Sequence, residues 1–209
     1  MSDFRLSVRH PFGDLMQPGR HGRLADGPCP ISLKERRDLA LRVMSGNAGQ
    51  ADAIAAAVLS LTGLQLPLEA AGVSENGLAL IGTAPGQWLA VAEGRSGHAL
   101  LESLRTALAG LASIVDQSDG KAVLEMSGPR ARDTLAKGCA LDLHPSVFLP
   151  GSAATTPVAL IDCQLWQIDA KPTYGLAIPT SYAESFWSWL TASAAEYGYD
   201  VMPAEELEA

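Results

Sequence analysis

The chain repeats itself, and a repeat restricts its fold more than any other feature. ALRVMSG begins at 40 and AVLEMSG at 122, an offset of 82. LALI (78–81) is echoed by VALI (158–161), an offset of 80, and WLAVA (88–92) by YGLAI (174–178). LQLP (64–67) returns as LDLHP (141–145) with one residue added. Similar segments in one order at a near-constant offset predict a duplicated unit of about 80 residues.

The unit reads as β-α-β-β-α. In the first half Leu39, Leu41 and Val43 alternate, as in a half-buried strand. Ser45-Gly46-Asn47 opens a helix with Ile54, Val58 and Leu61 on its apolar face. Gly63 suits a left-handed helix stop, and Pro67 ends the next stretch. GLALIG (77–82) and QWLAVA (87–92) are strands around the turn TAPG. Leu100, Leu104, Leu108 and Leu111 then fall at helical spacing. The second half follows with KAVLEMS (121–127), a helix with Pro129 in its first turn, strands VALIDCQLWQI (158–168) and TYGLAIP (173–179), and a helix over 181–194. The expected class is α+β: duplicated β-α-β-β-α units with a pseudo-two-fold, in mixed sheets with helices on one side.

Three regions follow. Residues 1–35 form an extended N-terminal arm; 36–198 form one domain of two repeats, 36–112 and 114–198; residues 199–209 are an acidic C-terminal tail. The arm carries HPFG, QPGRHG and DGPCP and the arginines Arg5, Arg9, Arg20 and Arg23, with no sustained period. It is either a disordered tail or an arm that orders on a partner.

A net charge of −8 with no dense Lys/Arg run excludes nucleic-acid binding. No apolar run reaches the ~20 residues of a membrane span, and MSDFRLSVRHPFGDL lacks a signal-peptide core. Cys29, Cys139 and Cys163 are odd in number and widely spaced, which predicts reduced thiols in a cytoplasmic protein. His10, His21, His98 and His144 form no pair at metal-ligand spacing, so no metal site is expected.

One segment invites a catalytic reading. In SGPRARDTLAKGCALDLHP (127–145), Lys137, Cys139 and His144 stand close in sequence, like a nucleophile with its base. The repeat favours a helix end instead. Gly138-Cys139 falls where the first half has Gly63-Leu64, so Cys139 replaces a packed leucine. Lys137 complements the end of a helix dipole, and His144 precedes Pro145 as Leu66 precedes Pro67. Elsewhere Asp116 and Asp119 read first as turn formers and only second as paired catalytic carboxylates. Arg130 and Arg132, near a helix N-terminus, are either an anion site or solvated. Trp187 points away from the stripe of Phe186 and Leu190; it is an exposed anchor at a subunit contact or it packs on the other half. There is no P-loop or GxGxxG after a strand, and Ser127 lacks the G-x-S-x-G setting.

IVDQSDGKAVLEMSGPRARDTLAKGCALDLHP (114–145), FLPGSAATTPVALIDCQLWQID (148–169) and YGLAIPTSYAESFWSWL (174–190) resemble the gamma subunit family of heterotetrameric sarcosine oxidase, over roughly 36–198. The resemblance implies a fold similar to the folate-binding domains of glycine cleavage T and TrmE-like proteins. It implies a cytoplasmic complex that oxidatively demethylates sarcosine to glycine and passes the one-carbon unit to tetrahydrofolate. FAD, FMN, NAD and tetrahydrofolate would be held by other subunits (alpha, beta, delta), with no catalytic, cofactor or metal residue on this chain. The T proteins carry a Gly-Gly segment leading to a catalytic aspartate; here GSAATTPVALID runs directly into a strand, and Asp162 is the nearest candidate. The alternative is a free-standing folate-binding protein, aminomethyltransferase-like or of the YgfZ type, whose Lys-Gly-Cys signature matches Lys137-Gly138-Cys139.

Overall fold

The computed structural model describes residues 10–23 and 26–204. Two short strands come first, β1 (Gly19–His21) and β2 (Ser32–Arg36). The first half then runs β3 (Leu39–Gly46), α1 (Ala51–Thr62), β4 (Gly72–Glu75), β5 (Leu78–Ala84), β6 (Gln87–Glu93), α2 (Gly94–Ala107) and β7 (Ala112–Asp116). The second half keeps that order with β8 (Lys121–Ser127), α3 (Ala131–Leu135), β9 (Ala153–Val158), β10 (Ile161–Asp169), β11 (Thr173–Pro179), α4 (Ala183–Ala194) and β12 (Tyr199–Val201).

The duplication is visible in the sheets. One is ordered β4-β5-β6-β3-β7 and the other β1-β12-β2-β8-β11-β10-β9. The runs β4-β5-β6-β3 and β9-β10-β11-β8 share one arrangement. Their registers agree too. Ala40 faces Ala92 and Met44 faces Trp88 in one sheet; Ala122 faces Ile178 and Met126 faces Tyr174 in the other. These are the positions aligned by the echoes of ALRVMSG and WLAVA.

Each unit has two strands more than expected. The stretch VALIDCQLWQI is not one strand: it turns back at Ala159-Leu160, so VALI straddles a hairpin while LALI lies within β5. The short strands β4, β7, β9 and β12 complete the two units. Pro129 lies in the turn before α3, which is only five residues long.

The two sheets pack face to face. Leu41, Leu89 and Val91 of one meet Val123, Trp166 and Ala177 of the other. Each outer face carries helices. Ile54, Val58, Leu101 and Leu104 cover the first sheet, and Leu135, Phe186 and Leu190 cover the second. The strand β3, expected to be half-buried, is therefore covered on both faces, with Ala40 and Met44 under helices and Leu41 between sheets. Each large apolar side chain so buried contributes about 1.5–3 kcal/mol.

The expected arm and tail enter this architecture. Inside 1–35, β1 pairs with β12, and β2 lies between β12 and β8. Phe12 is fully buried, and its N–H donates to Glu35 Oε1 at 3.4 Å. Three- to five-residue strands carry no period of their own; the neighbouring strand edges hold them. Residues 1–9, 24–25 and 205–209 of the expected arm and tail lie outside the described residues.

Candidate functional site

The structure does not bring Lys137, Cys139 and His144 together. Lys137 Nζ turns to α4, where it donates to the Ser193 carbonyl, pairs with Glu196 and lies 4.6 Å from the Tyr197 ring centroid. Cys139 is buried, its N–H donates to the Leu135 carbonyl at 2.9 Å, and it bridges Val158 of β9. The exposed His144 ring contacts Ser146 Oγ at 2.7 Å through Nδ1, within a local turn. Cys139 packs near Cys163, whose thiol burial pushes well above its ordinary value. Lys121 is a charged neighbour of the Cys163 thiol, while neither Lys137 nor His144 turns toward Cys139 in these contacts.

The two helix-end glycines do different work, which corrects the expected parallel. Gly63 caps α1 in the left-handed conformation, φ 75°, and its N–H donates to Leu59 at 2.8 Å. Gly138 lies outside the left-handed region. It is a glycine for space: a Cβ there would stand 2.4 Å from the Trp189 ring.

The other sequence candidates also separate. Arg130 pairs with Asp133 at 2.7 Å and lies over Tyr197, while Arg132 lies over Tyr174. The two guanidiniums do not converge on an anion site. Arg132 Nε, Gln167 Oε1 and Tyr174 Oη are buried, and Gln167 and Tyr174 face each other across β10 and β11. Asp116 accepts the Ser118 N–H at 2.9 Å, as a turn former does, and also pairs with Arg42 at 2.7 Å. The Asp119 carbonyl accepts the Thr180 hydroxyl. Trp187 is neither exposed nor packed on the other half: it is 8% exposed and meets the Phe12 ring, centroids 6.1 Å apart. Asp162 is exposed at the start of β10, beside the hairpin turn.

A cavity of about 330 Å³ opens between the sheets. Its floor is apolar, with Leu39, Val91 and Trp166; Glu93 and Glu125 lie at its polar side around Arg36. Arg36 bonds Asp38 through two nitrogens at 2.9 Å, Glu93 at 2.8 Å and Glu125 at 3.3 Å. Burial opposes the Arg36 charge, but the hydrogen bonds to Asp38 and Glu93 outweigh it and hold its pKa above the ordinary value. The network joins β2, β6 and β8, so it ties the two sheets together. Its carboxylates are anchored to a guanidinium, which suits a structural clamp better than proton transfer. At the other end of the same face Lys121 donates to Gln164 at 2.7 Å, and burial pulls its pKa down. Among the described residues no group of three His, Cys, Asp or Glu side chains is placed to hold a metal ion.

Residues 45–196 match the model of the sarcosine oxidase, gamma subunit family. The chain belongs to that family. It is 36% identical over 191 residues to the sarcosine oxidase subunit gamma of Arthrobacter sp., covering 90% of this chain and 91% of that protein. With the subunit gamma of Corynebacterium sp. (strain U-96) identity is 33% over 177 residues, 82% of each. A chain of the heterotetrameric sarcosine oxidase from Corynebacterium sp. U-96, solved with pyrrole 2-carboxylate, superposes with TM-score 0.77 and 27% identity, covering 91% of this chain and 96% of that one. The glycine cleavage system aminomethyltransferase T from Bartonella henselae shares the fold: TM-score 0.60, 16% identity, 83% of this chain and 48% of that one. This sarcosine oxidase gamma family member thus has a folate-domain-like α+β fold, as the sequence led one to expect.

Proposed function

We propose that this chain is the gamma subunit of a heterotetrameric sarcosine oxidase and contributes assembly rather than chemistry. Similarity along 90% of the chain to a subunit gamma of nearly the same length carries the reading. Other subunits, alpha, beta and delta, would hold FAD, FMN, NAD and tetrahydrofolate, demethylate sarcosine and pass on the one-carbon unit. The non-catalytic role draws support from side-chain placement. Cys139 and Cys163 are buried, the cavity carboxylates are bound to Arg36, and Asp162 sits at an exposed hairpin. The same strand order and register in the two sheets support a pseudo-two-fold between the repeats. The free thiols of Cys29, Cys139 and Cys163 fit a cytoplasmic setting.

The test is a pull-down of the chain from native extract, with flavin absorbance read on the eluate. Flavin-bearing partners in the eluate, and a pure chain without flavin or sarcosine oxidation, are expected. A pure chain that ignores those partners, binds tetrahydrofolate at micromolar concentration and turns over substrate would establish the free-standing folate-binding alternative.

A further inference from the structure

The two halves close the same hairpin with different turns. Between β4 and β5 the two-residue loop is Asn76-Gly77, flanked by the pair Glu75–Leu78, with φ of 51° and 76°. Between β9 and β10 it is Ala159-Leu160, flanked by Val158–Ile161, with φ of 52° and 66°. A tight hairpin turn with positive φ at both positions favours Asn-Gly. Alanine and leucine oppose it, because each carries a Cβ that crowds the following carbonyl oxygen.

Leu160 is also 97% exposed, the highest among the large apolar side chains described. One chain thus uses the unstrained turn once, yet at the matching hairpin keeps a residue that strains the backbone and leaves an isobutyl group in water. The described fold leaves the Leu160 side chain without packing. Backbone strain of this kind collects where a contact outside the local fold uses it.

We infer that Leu160 is a docking anchor, and that the tip of the β9–β10 hairpin inserts into an apolar socket on another subunit of the oxidase complex. This rests on the reading of the chain as a subunit. The base of the hairpin is held firmly. The Ala159 N–H donates to the Gly138 carbonyl at 2.9 Å, Val158 bridges Cys139, and Thr155 Oγ1 donates to the Thr83 carbonyl at 2.9 Å in the other sheet. A tip already fixed in place loses little freedom on docking. The occupant is a different chain for reasons of area. Two such tips meeting would bury far less than the roughly 1,000 Å² a stable contact between copies requires. A single side chain of this kind serves as one desolvated point inside a larger interface.

The decisive variant gives the second hairpin the first one's turn, Ala159→Asn with Leu160→Gly. Removing the strain should raise the denaturation midpoint of the isolated chain, by roughly 2–4 °C. Co-expressed with the other subunits, the same variant should leave the flavin-bearing fraction on gel filtration at a complex concentration roughly tenfold higher than the unaltered chain does. Leu160→Met keeps an apolar tip and should be retained like the unaltered chain. Equal retention of the Asn-Gly variant overturns the anchor while the subunit reading stands. An unaltered chain that fails to co-elute with flavin overturns that reading and the anchor with it.

Discussion

The indole of Trp166 lies on Gly175, its partner across β10 and β11: a Cβ on Gly175 would stand 2.1 Å from the ring. The ring is 8% exposed and packs between the sheets, so it has little freedom to yield. Gly175→Ala forces it toward the inter-sheet cavity that both residues line. Overpacking of this kind costs about 1–3 kcal/mol. Urea denaturation of the isolated chain should show that loss, and Gly175→Ala should cost much less when compared within a Trp166→Leu background.

Gly63→Ala and Gly138→Ala should both destabilise, through separate causes. Gly63 is left-handed with open space at its Cβ position, so alanine meets only the backbone cost, about 1–2 kcal/mol. Gly63→Asn should restore part of it, since asparagine tolerates that conformation. At Gly138 the nearest obstacle is Trp189, with the Ala159 backbone nitrogen next at 3.1 Å, so Trp189→Leu should relieve much of the Gly138→Ala cost and leave that of Gly63→Ala unchanged. Denaturant midpoints in a double-mutant cycle separate the two. Rescue of both glycine variants by Trp189→Leu would contradict the assignment.

These glycines mark how far the sequence could be read. The repeat was legible because β3, β6, β8 and β11 are long strands whose matching residues occupy matching registers. The family was legible from segments that run along the same elements. The β9–β10 hairpin was hidden because Ala159-Leu160 carries none of the usual turn residues. The arm was hidden because Phe12 and β2 gain their burial from Trp187 and β8, distant in the chain. The Arg36 cluster left no local pattern either: its carboxylates come from 2, 57 and 89 residues away. Periodicity reports contacts within an element, and these contacts lie between elements.

Asp116 should make stability depend on acid pH. Burial works to raise its pKa, but the Ser118 hydrogen bonds and the Arg42 charge outweigh this and hold it below the ordinary value. The unfolded chain therefore takes up the proton more readily than the folded one. The contribution is complete above the unfolded pKa, about 3.9, and is lost as pH falls through the depressed folded value. Asp116→Asn lacks it. The difference in urea midpoint between unaltered chain and variant should hold steady down to about pH 5 and shrink below it. A difference that grows on acidification would reverse the sign and refute the pairing.

The thiols give the last test, and it bears on the Lys137–Cys139 segment. Cys163 is fully buried, with its pKa raised by burial and by the neighbouring Cys139. Cys139 is 7% exposed and sits behind the β9 bridge. Cys29 differs: it is only partly covered, and Arg20 Nε donates to its sulfur at 3.2 Å. A thiol reacts where a reagent can reach it, and a buried thiol is out of reach. Under native conditions at neutral pH a disulfide reagent should therefore titrate one thiol of the three, Cys29. The other two should appear only as the chain unfolds, at the rate of unfolding. A Cys29→Ser chain that still reacts at once would place a reactive thiol at Cys139 or Cys163, and mass mapping of the label to Cys139 would restore a chemical role for Lys137 beside it.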